Sequence, residues 1–191
     1  MKNNLLLTCL VLFQSVLLAQ ESIPPHLEGK IQYPEFNLHP YMGVIDTDNS
    51  VLTYNPDIDY KVVVDVYDKI KDSTQLASPL REVGRIYNLN VANGVPKDQL
   101  NMVVIVHAYA VYSVLNDEAY EKKFGIKNPN SDALKSYSKA GIEFYICGQN
   151  LGMYNIPQED LADEIKIAIS AKTAFINFDQ LGYSYLNVNQ D

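Results

Sequence analysis

The sequence predicts an α/β fold in which a mostly parallel sheet is covered on both faces by helices. Short runs at 62–66, 102–107, 142–147 and 165–169 are apolar almost throughout rather than alternating, as strands buried on both faces are. Between these runs lie longer stretches with helical patterning and helix punctuation, and strands separated by helices pair in parallel through right-handed crossovers. With 191 residues, 47% of them apolar and 20% charged, the chain can bury one sizeable core, so one main domain is expected.

In chain order, Met1-Lys2-Asn3-Asn4 supplies a short positive start, and 5–18 is an apolar run broken by Thr8, Cys9, Gln14 and Ser15. That run is too short to span a bilayer. Residues 1–19 therefore read as a signal peptide cut after Ala19, which places the mature chain in the periplasm or outside the cell, with no membrane attachment after cleavage. Thr8 precedes Cys9 where a small residue is expected, which speaks against lipid attachment there.

Residues 20–59 carry Pro24, Pro25, Pro34, Pro40 and Pro56 without a sustained period of two or 3.6, and read as an extended arm. Tyr33, Phe36, Tyr41 and Tyr54 are more large apolar groups than a disordered linker holds, so the arm is expected to pack across the domain or a neighbouring subunit.

The domain is expected over 60–191. A strand at 62–66 leads to a helix at 80–93 that Gly94 and Pro96 end. A second strand at 102–107 precedes a polar helix around 117–124 and a turn at Asn128-Pro129-Asn130. Ser131-Asp132 can cap the next helix, which stops at Gly141, and a third strand runs to Cys147. A short helix after Gly148, a strand at 165–169, a helix at 172–181 and a short strand at 183–186 complete the pattern.

Cleavage after Ala19 removes Cys9 and leaves Cys147 as the single cysteine, so no internal disulfide is available. A lone cysteine is often just a small buried hydrophobe. Here it ends a strand and precedes Gly148, so backbone N–H groups of a following helix would favour its thiolate, the form that attacks and holds sulfur. Gly148 permits close backbone approach, while Gln149 and Asn150 offer amide donors to an anion or persulfide. In parallel sheets reactive groups gather beyond the carboxyl ends of strands, where His107, Cys147 and Ser170 all fall.

His107 is a candidate base or positive partner for the thiolate if the two strand ends are neighbours, although no carboxylate close in sequence orients it. Otherwise it is a histidine satisfied at a strand end. His26 and His39 lie in the arm, and the three histidines show no metal-ligand spacing, so no metal site is expected; a sulfur-carrier role needs no organic cofactor either. Asn128, Pro129 and Asn130 read as turn and cap residues; either of the strand acids Asp65 and Glu143 could be a buried acid, although strand edges and salt partners explain such positions more often. Tyr109 and Tyr112 fit either a cleft or a subunit contact.

A formal net charge of -8 without a basic cluster disfavours nucleic acid as a partner. No GxSxG, GxGxxG, Walker-type, CxxC or HExxH motif is present, which removes the usual support for hydrolase, nucleotide, thioredoxin-like and zinc-protease readings.

Val104-Ile105-Val106-His107, Leu115-Asn116-Asp117-Glu118-Ala119-Tyr120, Asn128-Pro129-Asn130 and the run from Lys139 through Ile146-Cys147-Gly148-Gln149 resemble exported members of the DsrE/DsrF-like family. Ala168-Ile169-Ser170-Ala171 and Gly182-Tyr183 fit as well, so the resemblance covers about 60–188. It implies a three-layer α/β/α fold with a five-stranded parallel sheet, assembly into homotrimers or hexamers, and a persulfide-carrying cysteine at the position of Cys147. One departure is Ala108-Tyr109, where relatives tend to have glycine.

The function expected is therefore sulfur transfer in the cell envelope through a Cys147 persulfide, with His107 and Gln149 assisting, as a carrier or transferase. The alternative is a binding oligomer of the same fold in which Cys147 only lines a cleft, and a purely structural assembly is a third.

Overall fold

The computed structural model describes residues 23–47 and 50–189; the segment read as a signal peptide, with Cys9, lies outside the described residues. In the arm, β1 (Ile31–Gln32) and β2 (Val44–Ile45) form a small antiparallel pair that the irregular sequence did not announce. The domain then runs β3 (Tyr60–Val66), α1 (Ser78–Ala92), β4 (Leu100–Val106), α2 (Asp117–Phe124), α3 (Ser131–Lys139), β5 (Glu143–Cys147), α4 (Gly148–Tyr154), β6 (Ile165–Ala168), α5 (Ala171–Gln180) and β7 (Ser184–Asn187). The expected helices and strands are all present to within about two residues. A 3-10 segment, Ala108–Val114, follows β4 and was not expected.

The main sheet has five strands in the order β6-β5-β4-β3-β7, and every neighbouring pair is parallel. From β3 through β6 the chain steps one way across the sheet, and then it returns to lay β7 on the far side of β3. Right-handed crossovers in one direction put their helices on one face, so the reversed step puts α5 on the other. The two hydrophobic clusters follow this division. Val62, Val64, Val66, Met102, Val104, Val106, Phe144 and Ile146 face the side of α1 and α3, whereas Val63, Val103, Ile105 and Cys147 pack with Ala171 and Ala174 of α5.

The arm belongs to the larger cluster. Phe36 and Met42 are buried, with the Phe36 ring 5.0 Å from Tyr87 and 4.7 Å from Tyr137. Asn88 of α1 holds it there. The Glu35 and Phe36 N–H groups donate to Asn88 Oδ1 at 3.1 and 2.9 Å, and Asn88 Nδ2 donates to the Phe36 and Met42 carbonyls at 2.8 and 2.9 Å. Gly84, one turn earlier, leaves the space: a Cβ there would lie 2.5 Å from the Tyr137 hydroxyl and 3.1 Å from Met42 Sδ.

Candidate functional site

Because β6, β5 and β4 are neighbours, the structure brings Ser170, Cys147 and His107 to adjacent strand ends along the carboxyl edge of the sheet. Val106 pairs with Ile146, so His107 and Cys147 are the next residues on neighbouring strands. α5 covers both: Cys147 packs with Ala171 and Ala174, and the His107 ring meets Phe175 edge-on at 6.2 Å.

Cys147 is a free thiol with 5% of its surface exposed. It occupies the cap position of α4, yet its sulfur accepts no hydrogen bond from that helix, contrary to the expectation from sequence. The reason is the alternation of β5. Tyr145 and Cys147 face α5, whereas α4 packs through Leu151 and Tyr154 on the opposite face. The sulfur lies instead in the cluster that contains Ala171, the first residue of α5.

His107 has the carboxylate that sequence proximity did not offer. Its Nε2 is 2.8 Å from Asp65 Oδ1 on β3, and the Tyr185 hydroxyl of β7 donates to Asp65 Oδ2. Asp65 is buried. The Tyr185 hydroxyl is pushed up to about 12, by burial first and then by the Asp65 carboxylate that holds its proton. Asp65 was singled out from sequence as a buried acid or a salt-pair member, and it is both buried and paired; its pairing with His107, and the role of Tyr185, are what sequence reasoning missed.

The polar groups flagged after Cys147 are engaged within the chain. Gly148 approaches β6 so closely that a Cβ would lie 2.9 Å from the Ala168 carbonyl oxygen. Gln149 Nε2 donates to the Ile169 carbonyl at 3.2 Å, and Ser170 caps α5 by accepting the Thr173 N–H at 3.1 Å. Asn150 Oδ1 accepts the Ala108 N–H at 2.9 Å and so ties the end of β4 to α4.

Ala108 is left-handed at φ 48°, the conformation glycine favours. Ala108→Gly is therefore expected to stabilise the protein by roughly 0.5–1 kcal/mol, the relief of strain outweighing the looser unfolded chain. Thermal unfolding checks it, and a lower melting temperature would show that the alanine is not strained.

The remaining candidates have structural roles. Asn128 Nδ2 donates to the Ser113 and Leu115 carbonyls, its Oδ1 accepts from Asn130, and Asn130 Oδ1 accepts the Ala77 N–H before α1. Asn130, rather than Ser131 or Asp132, holds the cap position of α3, and the Ser131 hydroxyl donates to Asp117. Glu143 pairs with Lys166 at 2.6 Å, and His39 Nδ1 accepts the Tyr41 N–H at 3.1 Å. Tyr112 packs against Phe124 and Tyr154 beneath the Lys123 ammonium, while Tyr109 is exposed. Among the described residues no group of three or more His, Cys, Asp or Glu is placed to hold a metal ion.

A model of the DsrE/DsrF-like family matches residues 61–188. Among solved structures, MTH1491 of Methanobacterium thermoautotrophicum, described as a protein of unknown function, is similar at 16% identity and a TM-score of 0.51, over 68% of this chain and 99% of that one. The ychN protein from E. coli is similar at 16% identity and a TM-score of 0.49, over 66% of this chain and 97% of its own. No curated protein matches the sequence.

Proposed function

This chain belongs to the DsrE/DsrF-like family, and from that premise we propose that Cys147 accepts sulfane sulfur as a persulfide and passes it to an acceptor thiol. The observation that carries the reading is the pairing of strand ends: Cys147 on β5 beside His107 on β4, the latter held by a buried carboxylate. The Cys147 thiolate attacks the outer sulfur of a hydropersulfide or inorganic polysulfide. A new S–S bond forms on Cys147, the donor's S–S bond breaks, and the donor leaves as a thiolate. An acceptor thiolate then attacks the outer sulfur and restores the Cys147 thiolate. Sulfane sulfur keeps its oxidation level throughout, so no external oxidant or reductant enters. The amino end of α5, in the same cluster as Cys147, favours the anion. Asn150 holds the two strand ends together, and Gln149 and Ser170 shape the rim with Gly148.

Treatment with inorganic polysulfide, removal of the excess and addition of cyanide tests this. The expected product is thiocyanate in amounts stoichiometric with the chain, and none above the buffer background would sink the reading. The burial of Cys147 favours a second reading, a binding oligomer whose cleft the thiol only lines. That reading is preferred if cyanide releases nothing.

We further propose that the protein acts in the periplasm or outside the cell, on the strength of its first 19 residues, and as a homotrimer or hexamer. Support for assembly comes from apolar side chains on and just before α5: Ile169 is 79% exposed, Ile176 63% and Leu181 61%. Ile169→Asp is expected to lower the mass measured by light scattering to that of a single chain. An unchanged oligomer would place the contact elsewhere.

A further inference from the structure

Resting on the sulfur-transfer reading of Cys147, we propose that Asp65 and Tyr185 are positioning residues that keep the His107 proton on Nε2, so that Nδ1 receives the Cys147 proton. Asp65 stands in β3 among Val62, Val63, Val64 and Val66, where an acid is excluded unless both oxygens find donors. Both do, and from opposite sides. Tyr185 approaches from β7 and His107 from the end of β4, each from a strand that pairs with β3.

The arrangement restrains the ring more than hydrogen-bond satisfaction at a strand end requires. Tyr67 packs beside the imidazole at 5.5 Å and Phe175 meets it edge-on, while Phe175 also meets Tyr185 at 5.5 Å. Asn189 fixes the β3 end from behind: its Nδ2 donates to the Asp65 carbonyl at 2.8 Å, and its Oδ1 accepts the Tyr67 and Asp68 N–H groups. A carboxylate only accepts, so Nε2 carries the hydrogen in this pair. In the neutral ring Nδ1 is then the acceptor, and it makes no hydrogen bond among the described residues.

In the transfer step Nδ1 takes the thiol proton, which leaves the Cys147 thiolate to attack the outer sulfur of the donor. The imidazolium returns that proton to the departing thiolate as the donor S–S bond breaks. Asp65 stays a carboxylate from start to finish and acts through His107 alone. Tyr185 acts one step further back. By occupying Oδ2 with a donated hydrogen bond, it leaves Oδ1 to His107 and fixes the plane of the carboxyl group.

Asp65→Asn is the decisive variant. The Tyr185 hydroxyl donates to the new amide oxygen, which turns the amide NH2 toward His107, and the hydrogen on the ring must then move to Nδ1. Nitrogen NMR of the His107 ring reads this directly. The expected result is an Nε2–H ring in the wild-type chain, an Nδ1–H ring in Asp65→Asn, and sulfur transfer to a thiol acceptor slowed about 10²-fold in a folded protein. Tyr185→Phe keeps the carboxylate and is expected to keep the Nε2–H ring with a smaller loss of rate. A wild-type ring protonated on Nδ1 overturns the proposal whether or not the variants fold, and so does an Asp65→Asn protein that transfers at the wild-type rate. A wild-type chain that takes no sulfur on Cys147 overturns the underlying reading as well, and the NMR result tells the two failures apart.

Discussion

In a Cys147→Ala protein, thiocyanate release after polysulfide loading is expected to fall to the background of the donor alone, with the fold retained. In a protein that starts at Gln20, and so lacks Cys9, the loss should be complete, because Cys147 is then the single cysteine and serine or histidine side chains do not hold sulfane sulfur at neutral pH. The expected structural penalty is small. Cys147 lies among Val63, Ile105, Ala171 and Ala174 with no hydrogen bond of its own to lose, so alanine removes one buried sulfur and leaves a small gap. That costs about 1–2 kcal/mol, or a melting temperature lower by roughly 2–8 °C in a domain of this size. Circular dichroism with thermal unfolding separates this from collapse. A folded Cys147→Ala protein that still releases thiocyanate would move the chemistry away from the β5 end altogether.

Asn88→Ala is expected to produce the largest loss of stability, roughly 3–5 kcal/mol. Asn88 is fully buried and makes four hydrogen bonds to the backbone of the arm, at Glu35, Phe36 and Met42. Alanine leaves those backbone groups without partners in a region walled by Tyr87 and Tyr137, where an orphaned polar group costs about 1–3 kcal/mol before water relieves part of it. The melting temperature should fall by roughly 10 °C or more. The arm should also release before the sheet does, so limited proteolysis is expected to cut within 23–47 while the 60–189 domain survives. A loss below about 1 kcal/mol would mean that Phe36 and Met42 hold the arm by packing alone.

Much of the fold was legible because burial writes itself into sequence. A strand covered on both faces has to be apolar along its length, so β3, β4 and β5 stood out, and Gly94 and Gly141 marked where helices stopped. The arm was legible only as composition. Its course depends on Asn88, which reads locally as an ordinary polar residue of α1 and takes its meaning from partners more than 45 positions away.

The candidate site divides in the same way. Cys147, His107 and Ser170 could be placed because strand ends are local features, and the parallel topology then set them side by side. The Asp65–His107 contact could not, since it joins residues 42 apart through the pairing of β3 with β4, and no local pattern encodes which strands are neighbours. The expectation that α4 would cap the thiol failed for a geometric reason. The period of two in β5 turns Cys147 toward α5, on the face opposite the helix that follows it in sequence. Ala108 adopts a left-handed backbone that an alanine side chain gives no sign of, and only the structure reveals it.

Site-resolved mass spectrometry after exposure to inorganic polysulfide shows whether Cys147 carries sulfur. The predicted result is the mass of one added sulfur atom on the peptide containing Cys147, lost again when a thiol acceptor is supplied. An unmodified Cys147 in the folded protein, under conditions in which a small free thiol is fully converted, would contradict the account.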